Sequence, residues 1–310
     1  MKGIVIKSTG SWYTVRGEDE EIYNCRIKGK FRMKGIKSTN PIAVGDRVEF
    51  DSDTESYVIH KLEPRENYIV RKSINLSKQT HIIAANVDQA FLFVTLKFPE
   101  TSMEFIDRFL VSAEAYHIPV KLIFNKIDIY DEEELKFMRF IQSIYTKIGY
   151  ECYEVSAEKQ INLDTIKELL KDKITMLSGH SGVGKSTLIN QLDPDLDLKT
   201  LAISEANKSG MHTTTFAEMH PLIFGGDIID TPGIKGFGVV DLESGELSHY
   251  FPEMMKVLPD CKFSNCIHIN EPGCAVKAAV DAGEISPTRY SSYLSITEDE
   301  KGENYRAKGY

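Results

Sequence analysis

Short alternating runs of apolar and polar residues near the start of the chain predict a small all-β unit. These runs are rich in β-branched and aromatic residues, and glycine, serine and aspartate separate them, which favours turns. They occupy residues 3–7, 12–15, 21–25, 47–50 and 57–59. Because five short strands at this spacing are typical of an OB-type β-barrel, we predict such a barrel over residues 1–65.

From residue 90 onward the pattern changes to nearly continuous apolar runs that alternate with amphipathic segments. Continuous apolar runs are typical of strands that are buried on both faces of a parallel sheet. The runs lie at residues 90–96, 120–124, 151–155 and 173–178, and helical spacing follows at 106–113, 131–148, 163–170 and 186–192. This α/β alternation predicts a mostly parallel sheet with helices on both faces over residues 66–240, entered through a polar linker at 64–85.

Composition and charge narrow the class of protein. The chain has 310 residues, of which 42% are hydrophobic and 27% are charged, as in a globular protein of two or three domains. No apolar run approaches the ~18 residues that a membrane span needs, and residues 1–12 lack the apolar centre of a signal peptide. A net charge of −9 excludes general electrostatic attraction to nucleic acid. We expect a cytoplasmic, monomeric protein without membrane contact.

One loop of the predicted barrel departs from this acidic balance. Residues 26–37 carry six basic residues and no acidic one. A solvated loop is one interpretation of such a run, but on an OB-type barrel a cationic loop also suits contact with an RNA backbone. The predicted RNA-binding side chains are Lys28, Lys30, Arg32 and Lys34.

The most specific chemical signal is a phosphate-binding loop. Residues 179–187 match the P-loop pattern G-x-x-x-x-G-K-[ST], between a predicted strand and a predicted helix. Glycines let the backbone N–H groups form a cradle, and the helix directs its positive N-terminal end at the same point. Lys185 would reach the β- and γ-phosphates, and Ser186 would ligate Mg²⁺. The predicted binding residues are Gly179, His180, Ser181, Gly182, Val183, Gly184, Lys185, Ser186 and Thr187.

Three further loops carry the other sequence motifs of a guanine-nucleotide-binding site. They are Asn125, Lys126, Ile127 and Asp128 (N-K-x-D); Ser156 and Ala157 (S-A); and 230–233 (D-T-P-G). Asp128 would accept hydrogen bonds from guanine N1 and N2, a donor pair that adenine lacks. Asn125 would contact the base edge and hold the P-loop, while the stem of Lys126 lies against the ring. The S-A loop would offer an N–H to guanine O6.

The D-T-P-G loop would serve the phosphate end of the nucleotide. Asp230 follows an apolar strand, as the Walker-B acid does, and would support Mg²⁺ through its hydration shell. Gly233 would donate its N–H to the γ-phosphate.

A cysteine–histidine cluster near the end of the chain predicts a metal centre. Cys261, Cys266, His268 and Cys274 have the spacing C-x₄-C-x-H-x₅-C. Four ligands of this type suit tetrahedral Zn²⁺, and because no position is left for water the site is expected to be structural. We predict a helical zinc-binding domain over residues 241–310, with one zinc ion per chain.

The order of the nucleotide motifs indicates a circular permutation, because N-K-x-D and S-A precede the P-loop. A parallel sheet tolerates this change when the ancestral termini lie close together. Residues 210–215 read G-M-H-T-T-T. With the barrel before the permuted motifs and the metal cluster after them, the chain resembles the ribosome small subunit-dependent GTPase A (RsgA, or YjeQ) family over nearly its whole length.

The resemblance implies a slow GTPase that binds GTP and GDP and that the small (30S) ribosomal subunit stimulates. Such a protein would contact rRNA, act in late small-subunit maturation and help to release an assembly factor. Ile234 stands where Ras-like GTPases carry a water-orienting Gln, and the resemblance makes His212 the candidate replacement. With Lys185, the catalytic set then includes Thr214, or a neighbouring threonine, as an Mg²⁺ ligand from the loop 193–215.

Two other classes of protein are alternatives to a GTPase. An RNA-binding scaffold that binds GTP with little turnover is compatible with the apolar Ile234. An ATP-using kinase or ATPase is disfavoured by Asn125 and Asp128, since these residues would read guanine. A measurement of nucleotide selectivity distinguishes an ATP-using enzyme from a GTPase. A measurement of GTP turnover with and without small subunits distinguishes an RNA-binding scaffold from a GTPase.

Overall fold

A computed structural model of the chain describes residues 1–27, 41–53, 56–72, 80–196, 198, 217–230 and 246–301. The first five strands form a closed barrel: β1 (Lys2–Ser8), β2 (Tyr13–Gly17), β3 (Ile22–Ile27), β4 (Arg47–Ser52) and β5 (Tyr57–Leu62). They pair in the order β1-β2-β3-β5-β4, and β4 returns to pair with β1. Alternate residues such as Val5, Val15 and Phe50 fill its core. The predicted five-stranded barrel is confirmed.

The interpretation of residues 64–85 as a linker is wrong, because much of this segment forms an antiparallel hairpin. Its strands are β6 (Tyr68–Lys72) and β7 (Thr80–Ala85). In β7, Ile82 and Ala84 are buried, and the Ala85 N–H bonds to the Val44 carbonyl at 2.8 Å. The segment looks polar in sequence because the apolar residues that the hairpin buries, Ile69, Ile82, Ala84 and Ala85, are separated by the mostly polar stretch 71–81.

The central sheet has the predicted mostly parallel form. Its strands are β8 (Gln89–Val94), β9 (Val120–Phe124), β10 (Glu151–Glu154), β11 (Ile174–Ser178), β12 (Glu218–Pro221) and β13 (Asp227–Asp230). They lie in the order β10-β9-β8-β11-β13-β12, and β12 alone among them is antiparallel to its neighbour. The P-loop strand β11 is therefore central although it follows β8, β9 and β10 in the chain.

Helices cover both faces of this sheet, as predicted. They are α1 (Met103–Ala115), α2 (Glu132–Ile148), α3 (Leu163–Leu170) and α4 (Lys185–Leu192). Leu92 and Val94 of β8 pack on the face that α1 and α2 cover, and Phe91 and Phe93 pack on the face of α3 and α4. The continuous apolar run is explained by this burial of alternate residues on opposite faces.

The last part of the described chain is helical: α5 (Pro252–Met255), α6 (Ala275–Asp281) and α7 (Pro287–Lys301). Its core includes Phe251, Val276 and Tyr293, and Val111 of α1 packs into the same cluster. Helices that bury apolar surface against α1 join this region to the central sheet. In the described part of the chain, every helix is too short or too polar to cross a bilayer.

Candidate functional site

The predicted nucleotide loops meet at one edge of the sheet, because each follows the carboxyl end of a strand in the parallel set. Asn125 follows β9, and Ser156 lies two residues after β10. The P-loop connects β11 to α4, and Asp230 is the last residue of β13. Such an edge is where open α/β sheets bind their ligands.

Asn125 holds two of these loops together. It is 1% exposed, and its Nδ2 donates to the Val183 carbonyl of the P-loop at 2.7 Å. Its Oδ1 accepts the Ala157 N–H at 3.0 Å. Both ends of the amide are therefore engaged within the protein, so the predicted contact of Asn125 with the base edge is absent from this arrangement. Gly184 must lack a side chain, since a Cβ there would lie 2.2 Å from Asn125 Nδ2.

The Asp128 carboxylate is oriented by its neighbour in the S-A loop. Ser156 is fully buried, and its hydroxyl donates to Asp128 Oδ1 at 2.5 Å. The same hydroxyl oxygen accepts the Lys159 N–H at 2.9 Å. The Ile127 N–H bonds to the Val155 carbonyl at 3.3 Å. An oriented carboxylate suits recognition of a fixed pair of donors.

Lys126 bridges the N-K-x-D loop and the P-loop. Its backbone is left-handed, with φ of +67°, and its Nζ donates to the Gly182 carbonyl at 2.7 Å and to the Phe98 carbonyl. Burial lowers the pKa of Lys126, and the Asp128 carboxylate opposes that shift. The aliphatic stem thus spans the space between the base-reading and phosphate-binding loops, where a nucleoside would lie against it.

The P-loop lysine is enclosed by its own loop. Lys185 Nζ donates to the carbonyls of Gly179 at 2.8 Å and His180 at 3.0 Å. Burial lowers the pKa of Lys185, and the carboxylate of Asp230 opposes the shift. An ammonium group held in a desolvated loop gains much from an anionic phosphate, because the local dielectric constant is low.

The rest of the P-loop has the form that phosphate binding requires. Gly179, Gly182 and Gly184 have φ of +133°, +85° and +100°, a region that favours glycine. Ser181 is exposed, Val183 is buried beneath the loop, and Ser186 and Thr187 lie in the first turn of α4. The His180 ring lies 4.1 Å from the Phe105 ring of α1, centroid to centroid.

Tyr130 supports the site although it belongs to no motif. Its hydroxyl donates to the Asn125 carbonyl at 2.8 Å and accepts the Leu96 N–H at 2.9 Å. It thereby fastens the N-K-x-D loop to the end of β8. A tyrosine two residues beyond Asp128 carries no periodic signal, so the sequence offered no means to single it out.

Several predicted site residues lie outside the described part of the chain. They are Gly233 of the D-T-P-G loop, the switch residues His212 and Thr214, and the barrel residues Lys28, Lys30, Arg32 and Lys34. Their predicted roles remain predictions.

The four predicted metal ligands do come together. The ligand atoms of Cys261, Cys266, His268 and Cys274 all lie within 4.8 Å of one another. His268 Nδ1 is 3.7 Å from Cys261 Sγ and 3.4 Å from Cys274 Sγ. Tetrahedral zinc with thiolate and imidazole ligands would hold such atoms about 3.5–3.8 Å apart. Burial raises the pKa of the Cys266 thiol to about 12, so a cation is needed to stabilise clustered thiolates.

Glu271, which the sequence analysis missed, shapes the metal-binding loop. Its carboxylate accepts the N–H groups of Ile267 at 3.0 Å, Ile269 at 2.9 Å and Asn270 at 3.0 Å. From α7, the Tyr290 hydroxyl donates to the His268 carbonyl at 2.6 Å. The four side chains are therefore held by their own loop and by α7, as expected of a structural metal site.

Comparison with known proteins agrees with this arrangement. The sequence model described as RsgA GTPase matches residues 62–240, and the RsgA N-terminal domain model matches residues 2–58. A protein of Bacteroides fragilis named small ribosomal subunit biogenesis GTPase RsgA is 56% identical over 308 residues, 99% of each chain. A protein of the same name from Flavobacterium johnsoniae is 57% identical over 314 residues, covering 100% of this chain and 96% of its own.

Two solved structures share the whole architecture. The crystal structure of YjeQ from Thermotoga maritima superposes with a TM-score of 0.79 at 38% identity, over 97% of this chain and 98% of that one. The structure of YloQ, described as a circularly permuted GTPase, has a TM-score of 0.73 at 29% identity, over 100% of this chain and 96% of its own. The fold class and the GTPase class that the motifs predicted are confirmed, and the chain belongs to the RsgA family of circularly permuted GTPases.

Proposed function

We propose that this protein hydrolyses GTP slowly by itself and faster on the small ribosomal subunit, late in the maturation of that subunit. In doing so it helps to release an assembly factor. The observation that carries the proposal is the Asn125 amide, which ties the phosphate-binding loop to the guanine-reading loops. Its relatives are named small ribosomal subunit biogenesis GTPases, which supports the choice of partner.

In this proposal each loop has a defined task at the nucleotide. Asp128 reads guanine, and the stem of Lys126 supports the ring. The predicted contact of the S-A loop with O6 requires the Ala157 N–H to leave Asn125 Oδ1, to which it donates at 3.0 Å. The P-loop residues 179–187 enclose the phosphates. Gly233 donates to the γ-phosphate, as proposed from the sequence alone.

Magnesium fits the donor groups at the phosphate end. Ser186, in the first turn of α4, and Thr214 would hold the ion, with Asp230 supporting its shell. Once bound, Mg²⁺ neutralises charge on the β- and γ-phosphates. The protein's own contribution is to place Lys185 and the loop N–H groups around the same oxygens.

Hydrolysis requires a polar group that orients the attacking water. Because Ile234 is apolar, we propose that His212 supplies this group once the subunit has ordered the loop 193–215. Intrinsic Ras turnover is only about 3–5 × 10⁻⁴ s⁻¹ even with its Gln, and a partner adds about 10⁵-fold. A slow isolated enzyme with large stimulation is therefore expected.

The flanking regions complete the proposal. Residues 1–65 form an rRNA-binding barrel that uses Lys28, Lys30, Arg32 and Lys34, residues 66–240 form the GTPase domain, and residues 241–310 form a domain held by one Zn²⁺. Zinc is the ion proposed because three thiolates and one imidazole at these distances suit it. We further propose that the protein works in the cytoplasm as a monomer.

The test measures GTP turnover by the purified protein, alone and with small ribosomal subunits, for the wild type and for His212→Ala. Strong stimulation of the wild type and selective loss of the stimulated rate in His212→Ala are expected. Absence of turnover in both conditions would favour the scaffold alternative. Stimulation that His212→Ala leaves undiminished would place the polar group elsewhere.

Base reading is tested separately with Asp128→Asn. The amide presents a donor where guanine needs an acceptor, so preference should shift from guanine to xanthine nucleotides. Competition binding of GDP against XDP measures the shift, with Asp164→Asn on α3 as the matched control. A variant that keeps the wild-type preference would refute the assignment of Asp128.

A further inference from the structure

Phe98 is the most exposed large apolar side chain in the described part of the chain, at 75%. It lies in the loop between β8 and α1. Since β8 is the neighbour of the P-loop strand β11, this loop emerges at the edge where the nucleotide loops meet. An apolar side chain left open to water at a ligand-binding edge is a candidate for contact with the ligand.

The loop that carries Phe98 is well braced. The Thr95 hydroxyl donates to the Pro99 carbonyl, and the Thr101 N–H bonds to the Thr95 carbonyl at 2.8 Å. Lys97 pairs with Glu134 of α2 at 2.6 Å. Phe98 itself has a φ of +54°, a conformation that persists only where the surroundings enforce it. Its exposure is therefore a built feature of the loop.

Backbone contacts place the loop at Phe98 and Pro99 between the base and phosphate ends of the site. Lys126 Nζ donates to the carbonyls of both Phe98 and Gly182, and a Cβ on Gly182 would lie 3.6 Å from Pro99 Cδ. Asp128, the base reader, is two residues from Lys126, and Gly182 belongs to the phosphate cradle. In a nucleotide, the group between base and phosphates is the sugar.

We infer that Phe98 is an apolar wall against which the ribose of the bound nucleotide packs. The inference rests on the guanine-nucleotide site proposed above and adds a contact that none of its motifs contains. The C–H face of the sugar would cover part of the exposed ring, and burial of that area would strengthen binding. GDP and GTP share the sugar, so both would gain equally.

The test compares nucleotide affinity of the wild type with that of Phe98→Ala and Phe98→Leu by calorimetry. Partial loss of a phenylalanine contact predicts a Kd about 5- to 10-fold higher for GDP and GTP alike in Phe98→Ala. Phe98→Leu should recover most of the affinity. Phe140→Ala, at a 56% exposed phenylalanine on α2, is the matched control and should bind as the wild type does.

Acyclo-GDP, which lacks the ribose ring, isolates the contact. Phe98→Ala should weaken its binding little, because the sugar surface is missing. An equal loss with acyclo-GDP, a loss confined to GTP, or unchanged GDP affinity would each overturn the inference. Asp128→Asn distinguishes the two proposals: if it shifts base preference while Phe98→Ala has no effect, the nucleotide site stands and the ribose wall does not. Unchanged melting temperatures would show that each variant is folded.

Discussion

The barrel and the C-terminal helices are attached to the central sheet in different ways. At the barrel junction (Lys7, Arg16, Glu218 and Asp227), β1 pairs with β12, so that barrel and sheet become one 11-stranded sheet. Arg16 forms two hydrogen bonds of 2.8 Å with the Asp227 carboxylate. At the helical junction (Asp107, Tyr145, Glu253 and Arg289), side-chain contacts connect the C-terminal helices to the helices that cover the sheet.

The helical junction is a buried charge network. Arg289 and Asp107 have fully buried side chains and lie 2.8 Å apart, while Glu253 Oε1 is 2.6 Å from Arg289 Nε. The Tyr145 hydroxyl donates to the same Asp107 oxygen at 2.8 Å. Burial lowers the pKa of Arg289, but the carboxylates of Asp107 and Glu253 more than offset this, so its pKa lies above the usual value.

The difference in exposure sets how strongly each junction depends on its ion pairs. Lys7 and Glu218 have side chains that are 43% and 41% exposed, so water screens their attraction. The side chains of the helical junction are almost fully buried, and an unpaired charge in such surroundings is costly. We expect the C-terminal helices to move with α1 as one body and the barrel to be the more adjustable attachment.

Each junction includes an element that also reaches the nucleotide site. Asp227 and Asp230 belong to the same strand, β13, and the predicted switch loop 193–215 leads into β12. Asp107 lies on α1, where Phe105 packs against His180 of the P-loop. The barrel junction is thus attached to the strands that adjoin the predicted switch loops in sequence, and the helical junction is attached to the helix beside the phosphate cradle.

The largest effect is expected from removing the zinc ion that we propose at Cys261, Cys266, His268 and Cys274. Structural zinc in small modules contributes ~10–16 kcal/mol of apparent binding free energy. Cys261→Ser or chelation should therefore unfold residues 246–301 locally, seen as lost amide protection in hydrogen exchange. Cys152→Ser, at a cysteine outside the cluster, is the control. Purified protein that holds no zinc and keeps full protection would contradict the proposed site.

The second-largest effect, a loss of stability, is expected at the helical junction. Arg289→Met leaves two buried carboxylates unpaired and should lower the free energy of unfolding by about 3–5 kcal/mol. Adding Asp107→Leu and Glu253→Met should recover much of that loss, since this network then leaves no buried charge at the helical junction. Urea denaturation measures both, with Arg139→Met on the exposed face of α2 as control. If Arg289→Met alone is as stable as Arg139→Met, the charge network does not contribute to the stability of the fold.

A smaller effect is expected at the part-buried pair of the barrel junction. Arg16→Ala should lower the free energy of unfolding by about 1–2 kcal/mol and raise exchange in β1 and β12. The charge-reversed double variant, Arg16→Asp with Asp227→Arg, should restore part of the free energy of unfolding and part of the amide protection. Exchange rates that stay as slow as in the wild type would indicate that backbone pairing alone holds the barrel.

The smallest effect is expected at the exposed pair of the same junction. Lys7→Ala should change the free energy of unfolding by less than about 1 kcal/mol, and added salt should reduce the difference further. Urea titrations at low and high salt measure it. A change as large as that for Arg16→Ala would remove the distinction between exposed and part-buried pairs.

Local patterns made much of this protein predictable. The helix at Leu163–Leu170 and the strand at Val120–Phe124 follow directly from residue spacing, because periodicity reports which face of an element is buried. The metal ligands and the nucleotide motifs were readable for a related reason. Each lies in a short contiguous segment whose spacing is set by the geometry of its ligand.

Tertiary structure alone decided which distant residues meet. Asp107 and Arg289 are 182 residues apart, and both look like ordinary surface charges on amphipathic helices until the helices pack together. The β6–β7 hairpin, the hydroxyl of Tyr130 and the exposed ring of Phe98 likewise have no local signature. Such partners are selected by the packing of whole elements, so their identity is a property of the fold and cannot be read from residue spacing.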